Sequence, residues 1–169
     1  ENIFDIAADY FEFKKSDSIH FFLQDGLVFL RENNKKYDLI VTDVASDDGI
    51  DDRFLSDDYF KLIKKSLTPN GVFVSNLCSS ADLTCKENTF FHSILDTYHS
   101  HFKQVSIFKG NESDRVYYKA FFDIDERVID ITNVILISSK QQFSVGKDYE
   151  KIKATGLDIV PYVNDLQSF

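Results

Sequence analysis

Residues 37–49, YDLIVTDVASDDG, constrain the rest of the chain more than any other stretch. Leu39, Ile40 and Val41 form a short apolar run, mostly β-branched, bounded by acidic and polar residues. A run of that kind reads as a fully buried strand in the middle of a parallel sheet. It ends at Thr42-Asp43 and gives way to a loop carrying Ser46, Asp47, Asp48 and Gly49. Ligands of open α/β sheets sit outside the carboxyl ends of the strands, so Asp43 is the first carboxylate to place in a binding crevice.

The flanking sequence supplies elements to surround that strand. Upstream, Ile3, Ile6, Ala7, Tyr10 and Phe11 recur at the spacing of one helix face, which predicts a helix over residues 2–13. Residues 19–23 predict a strand ending in Gln24-Asp25-Gly26, where Gly26 permits a tight turn, and residues 27–32 a short helix. Downstream, Ser56 is a helix N-cap, with Asp57 and Asp58 in the first turn, where the helix dipole favours negative charge. Tyr59, Phe60, Ile63 and Leu67 mark the buried face of that helix, and Thr68-Pro69-Asn70-Gly71 stops it.

A strand over 72–77, a helix over 86–102 and a strand over 104–108 follow. The helix turns Phe90, Phe91, Ile94, Leu95, Tyr98 and Phe102 inward. Residues 110–127 hold a polar loop, then VYYKAFF, which reads as strand or short helix, then a charged run. Residues 134–138 predict a last strand, and the apolar end at 157–163 is expected to dock on the body. The alternation predicts one α/β domain over residues 1–169, with a mostly parallel sheet and helices on both faces.

Composition excludes several classes. A hydrophobic fraction of 43% is too high for a disordered chain. No apolar run approaches the roughly 18 residues of a membrane span. A net charge of -9, with no run of Lys and Arg longer than a pair, disfavours nucleic-acid partners. Cys78 and Cys85 make no disulfide framework, and a cytoplasmic protein is the simplest account. His20, His92, His99 and His101 lack metal-ligand spacing, so no metal is expected. The chain contains no Met, which predicts that Glu1 is not a natural start and that the chain is a piece of something longer.

Taken together, Asp25-Gly26, Phe29-Leu30, Tyr37-Asp38-Leu39-Ile40, Asp43, Tyr59-Phe60, Leu67, Pro69 and Gly71-Val72-Phe73 form a recognisable pattern. It resembles the spermidine-synthase-like branch of class I S-adenosylmethionine-dependent methyltransferases, over about residues 2–77. Two sub-branches compete. The polyamine aminopropyltransferases carry Asp-Ser-Ser-Asp-Pro at the strand end; here Asp43 is kept, the second carboxylate is displaced and the proline is missing. The other sub-branch is similar to methyltransferase-like protein 13, which acts on a translation elongation factor. Its Asp-Val-x-Ser-x-Asp loop is matched by Asp43, Val44, Ser46 and Asp48, and its Gly-Val-Phe-x-x-Asn-Leu strand by Gly71, Val72, Phe73, Asn76 and Leu77. The second match is the fuller.

The resemblance implies a Rossmann-like fold, truncated at its N-terminal edge, because no G-x-G loop is present to hold the methionine end of the cofactor. It implies S-adenosylmethionine as cofactor, with Gln24, Asp25, Gly26 and Asp43 around it. Asp25 would accept from the adenine amine; the plainer reading makes it a helix cap. Asp43 would take or orient the proton of a nucleophilic amine, or else order its loop. Ser46, Asp47 and Asp48 would bind a cationic substrate, or form a solvated acidic loop. Asn76 would hydrogen-bond the substrate amine.

Three functions follow from these expectations. The first is methyl transfer to a protein amine, a lysine or an N-terminus. The second is aminopropyl transfer to a polyamine, and the third a non-enzymatic module that keeps the fold. Both enzymatic readings need the absent front half, so this piece alone is expected to be inactive. An open sheet edge would then favour self-association, making a homo-oligomer a further expectation.

Overall fold

The computed structural model describes residues 3–11, 13–14, 16–44, 51–80, 83, 89–109, 131–141 and 158–160. They fall into two units, Glu1–Glu32 and Asn33–Phe169.

In the smaller unit the expected helix forms as α1 (Ile3–Phe11), yet Ile6, Tyr10 and Phe11 on its apolar face are exposed. The second helix, α2 (Gly26–Glu32), buries Leu27 and Leu30. Residues 19–23 are not a strand. A strand persists only where a neighbour takes up its backbone groups, and none of the paired strands includes this segment. Its aromatics pack locally instead: Phe21 against Phe13 at 5.1 Å, and Phe22 against Phe29 at 4.8 Å between ring centroids.

The larger unit is built on a five-stranded mixed sheet in the order β1-β2-β4-β3-β5. The strands are β1 (Tyr37–Thr42), β2 (Leu67–Ser80), β3 (Gln104–Lys109), β4 (Ile131–Ser139) and β5 (Asp158–Val160). β1 and β2 pair in parallel, while β4 pairs antiparallel with both β2 and β3. The successive strands β1, β2 and β3 therefore run the same way, with β4 inserted against them between the last two. That insertion leaves β1–β2 as the parallel pair among the described strands. β5 adds to β3 antiparallel, so part of the apolar end at 157–163 does join the body.

Two helices cover one face of this sheet. α3 (Asp57–Ser66) starts at Ser56, whose side chain accepts from the Tyr59 N–H, and ends where the Leu67 N–H bonds to the Ile63 carbonyl. α4 (Thr89–His101) follows β2 in the chain. Phe60 of α3 and Tyr98 of α4 meet at 4.8 Å and both pack on Phe73 of β2, with Phe102 closing the cluster. Each of these rings is at most 3% exposed, and burial of a side chain of this size contributes about 1.5–3 kcal/mol.

Residues 68–71 do not simply end the helix; they lie at the start of β2, where the pairing slips. Tyr37 pairs with Leu67, but Leu39 already pairs with Val72. Gly71 allows this: a Cβ there would lie 2.8 Å from the Tyr37 carbonyl oxygen and 3.1 Å from the Thr68 nitrogen. The LIV run is indeed a strand, but not a fully buried central one. β1 pairs with β2 alone among the described strands, and Leu39 and Val41 stay 57% and 60% exposed. Side chains alternate across a strand, so these two point away from the face that carries α3 and α4.

Candidate functional site at the carboxyl ends of β1 and β2

Parallel pairing brings the ends of β1 and β2 to the same place. Thr42 pairs with Ser75, so the residues that follow, Asp43 and Asn76, emerge side by side. The Asn76 amide donates from Nδ2 to the Asp43 carboxylate, Oδ1, at 2.9 Å. The other end of that amide, Oδ1, is shut off from solvent and has no hydrogen-bond partner among the described residues. An unmatched acceptor is costly, of order 1–3 kcal/mol; Ser66 Oγ, Thr132 Oγ1 and Ser138 Oγ are likewise buried and unmatched among the described residues. The exposed Asp43 carboxylate, oriented by the Asn76 amide, is an acceptor suited to a group rich in N–H donors, such as an amine.

Two tyrosines hold this arrangement from below, one from each helix. The Tyr59 hydroxyl lies 2.6 Å from Thr42 Oγ1, and the Tyr98 hydroxyl donates to Ser75 Oγ at 2.6 Å. Each tyrosine thus fixes the residue immediately before a site residue. Burial pushes the Tyr59 hydroxyl up to about 12, partly offset by its bond to Thr42. Burial raises that of Tyr98 as well, again offset in part by its hydrogen bond, to Ser75. Both phenols are therefore neutral at physiological pH and act as fixed hydrogen-bonding groups, not as bases.

The residues after the site remain acidic. Asp51 caps a short turn of 3₁₀ helix at Asp52–Leu55 and pairs with Arg53, whose hydrogen bonds hold its carboxyl below the usual range. Asp57, in the first turn of α3, is held low chiefly by its hydrogen bond with Lys61 and also meets His101 Nε2 at 2.9 Å.

Among the expected substrate ligands, Asn76 joins Asp43, while Ser46, Asp47 and Asp48 lie outside the described residues. The expected cofactor residues Gln24, Asp25 and Gly26 belong to the smaller unit and are exposed. There Asp25 caps α2: its Oδ1 accepts from the N–H groups of Leu27 and Val28, at 2.9 and 3.1 Å. The capping reading of Asp25 is thus observed directly. The tyrosine supports were missed in the sequence, where Tyr59 and Tyr98 count as core. The available signals were hydroxyls on otherwise apolar helix faces and an inward-facing Ser75 in the strand VFVSNL.

Comparison with known proteins places this geometry. Residues 2–110 match the spermine/spermidine synthase domain. Spermine synthase SPE4 of Saccharomyces cerevisiae is 32% identical over 80 residues, 44% of this chain and 26% of the yeast protein. The eEF1A lysine and N-terminal methyltransferase homolog of Drosophila melanogaster is 24% identical over 160 residues, 89% of this chain and 20% of the fly protein. The structure of human methyltransferase-like protein 13, in complex with SAH, aligns with a TM-score of 0.60 at 23% identity, covering 91% of this chain and 65% of that one. The chain thus spans a fifth to a quarter of the two sequence relatives and about two thirds of the solved structure, and it shares the Rossmann-like fold of the latter. With a match that runs from α1 through β3 and takes in both Asp43 and Asn76, the chain belongs to the spermine/spermidine synthase domain family.

Proposed function

We propose that the protein carrying this chain is an S-adenosylmethionine-dependent methyltransferase acting on a protein amine, a lysine or an N-terminus, in the cytoplasm. The observation that supports it most is the exposed Asp43 carboxylate at the strand ends, held by the Asn76 amide at 2.9 Å. An incoming amine supplies N–H groups to the exposed Asp43 carboxylate, which Asn76 holds in place. Asp43 orients the amine and receives its proton, while Tyr59 and Tyr98 keep the two strand ends in register. Much of the acceleration comes from holding the reactants in line. A bound S-adenosylmethionine would provide the sulfonium methyl group for the amine lone pair, with S-adenosylhomocysteine as the leaving group. The resemblance assigns the adenine contact to Gln24, Asp25 and Gly26, of which Asp25 also caps α2. Ser46, Asp47 and Asp48 would add negative charge for a cationic substrate.

A second reading, aminopropyl transfer to a polyamine, is favoured by the 32% identity to the yeast spermine synthase. Methylation is preferred because the match to the fly methyltransferase homolog extends over 160 residues rather than 80. The test is to incubate the full-length protein with S-adenosylmethionine and a protein extract. In parallel it receives decarboxylated S-adenosylmethionine and putrescine, and the nucleoside product is identified by mass spectrometry. S-adenosylhomocysteine is expected; 5′-methylthioadenosine would establish the second reading. Asp43→Asn is expected to slow turnover about 100-fold or more. Absence of both products, with no cofactor binding by calorimetry, would leave only a non-enzymatic module.

A further inference from the structure

The opposite end of the sheet gathers lysines around one carboxylate, Asp38, which accepts from Thr68 Oγ1 at 2.8 Å. Lys36 immediately precedes β1, Lys64 lies in the last turn of α3, Lys103 precedes β3 and Lys140 follows β4. These positions are far apart in sequence, so no basic run is visible. The pairing of Tyr37 with Leu67, Val72 with Ser139 and Gln104 with Ser139 gathers them at the amino ends of β1 and β2. That is about 20 Å, one strand length, from Asp43.

The helix end accounts for part of this. The Lys140 ammonium donates to the Leu67 carbonyl at 3.0 Å and the Lys64 carbonyl at 3.5 Å, and the Lys36 ammonium donates to the Lys65 carbonyl. Such carbonyls carry only about half an elementary charge in total, well short of four ammonium groups. Among the described residues no carboxylate forms an ion pair with any of the four. Partial burial, with repulsion from Lys36 and Lys64, pulls the Lys140 ammonium below the ordinary lysine range, as expected of a cation short of counter-charge. Beside the cluster lies an open cleft of about 820 Å³, lined by Pro69, Lys103, Lys140 and Gln141.

We propose that this lysine-lined cleft is a docking site for an acidic peptide segment of a partner protein. The cleft offers ammonium donors and a side-chain amide to carboxylates, and a proline ring to the apolar part of a chain. Lysines on flexible stems suit a run of carboxylates better than one planar anion held in a fixed fork. A long polyanion fits less well. Charges are screened beyond about 8–10 Å, so the cleft attracts a short segment locally while the rest of a chain with net charge -9 repels a larger one. The site is separate from Asp43 and Asn76 and does not depend on the activity proposed for them.

Fluorescein-labelled hexaglutamate, titrated into the full-length protein and followed by anisotropy, tests this. Saturable binding is expected near 50 mM salt, weakened about tenfold near 200 mM. Lys103→Gln leaves the α3 carbonyl contacts intact and should weaken binding roughly fivefold or more, with Lys103→Arg retaining it. Lys61→Gln removes one lysine that is already paired with Asp57, and should change nothing. The proposal is overturned if hexaglutamate does not saturate at low salt, or if Lys61→Gln weakens it as much as Lys103→Gln. It is equally overturned if inorganic tripolyphosphate binds in a Lys103-dependent way while hexaglutamate does not.

Discussion

The Tyr98–Ser75 hydrogen bond offers a quantitative test of how the site is held. Both residues are 1% exposed and their hydroxyl oxygens are 2.6 Å apart. Tyr98→Phe keeps the ring packing but strips Ser75 Oγ of its donor, which is expected to cost about 1–3 kcal/mol. Ser75→Ala leaves the tyrosine hydroxyl buried without its acceptor, for a similar loss. The double variant removes both hydroxyls and leaves neither stranded, so it should be no worse than either single change. The coupling should then be at least as large as one single loss, about 1–3 kcal/mol. Urea denaturation reads this as midpoint shifts at constant slope.

The pH dependence adds a second constraint on the same bond. Folding raises both phenols, Tyr59 to about 12 and Tyr98 in the same direction. Above about pH 10 the unfolded chain loses these protons while the folded chain keeps them, so stability falls as pH rises. The slope is about 1.4 kcal/mol per pH unit for each tyrosine at full effect. Tyr98→Phe lacks its share of that loss, so its deficit against the parent should narrow from about pH 9 to pH 11. Additive single and double variants, together with a deficit that does not change with pH, would refute the buried hydroxyl pair.

Gly71→Ala should destabilise the larger unit by about 1–3 kcal/mol, because its Cβ meets backbone atoms of Tyr37 and Thr68 that cannot rotate away; thermal melting with an unchanged midpoint would show that the slip in β1–β2 pairing can relax. The outer edge of β1, with Leu39 and Val41 exposed, should make the chain on its own self-associate, and Val41→Lys should suppress this. Static light scattering that finds a monomer for both at high concentration would remove the edge as an interface.

Much of the architecture was legible because local signals agree there. Ser56 with Asp57 and Asp58 marked the start of α3 within a residue, and the inward positions of α4 from Phe91 to Phe102 are buried as their spacing required. Two expectations failed for one reason. Residues 19–23 and the LIV run were judged by apolar content alone, yet strand status and burial depend on neighbours distant in sequence. Among the described residues the first has no pairing partner, and the second has one on a single edge. The candidate site was half legible. Asp43 and Asn76 follow from their places at strand ends, but their 2.9 Å bond depends on the register of Thr42 with Ser75. For Asp25 the structure supplies the bonds of the plainer reading, a helix cap.

The charge separation of the larger unit follows from one local rule applied along a βα repeat. Acids favour helix N-termini and bases favour C-termini. α3 obeys it, with Asp57 and Asp58 in its first turn and Lys64 and Lys65 in its last. In a parallel β-α-β unit the helix begins where one strand ends and finishes where the next begins. The rule therefore sends the acids of α3 towards the end of β1 and its bases towards the amino end of β2, although Asp57 also meets His101 from the last turn of α4. Lys36, Lys103 and Lys140 lie in connections at that amino end and add to the bases already there. The acidic first turn and the basic last turn of α3 are thus two consequences of one helix orientation. Reversing Lys64 and Lys65 to glutamate should weaken α3 and the amino-end cleft together, while leaving the Asp43–Asn76 bond in place.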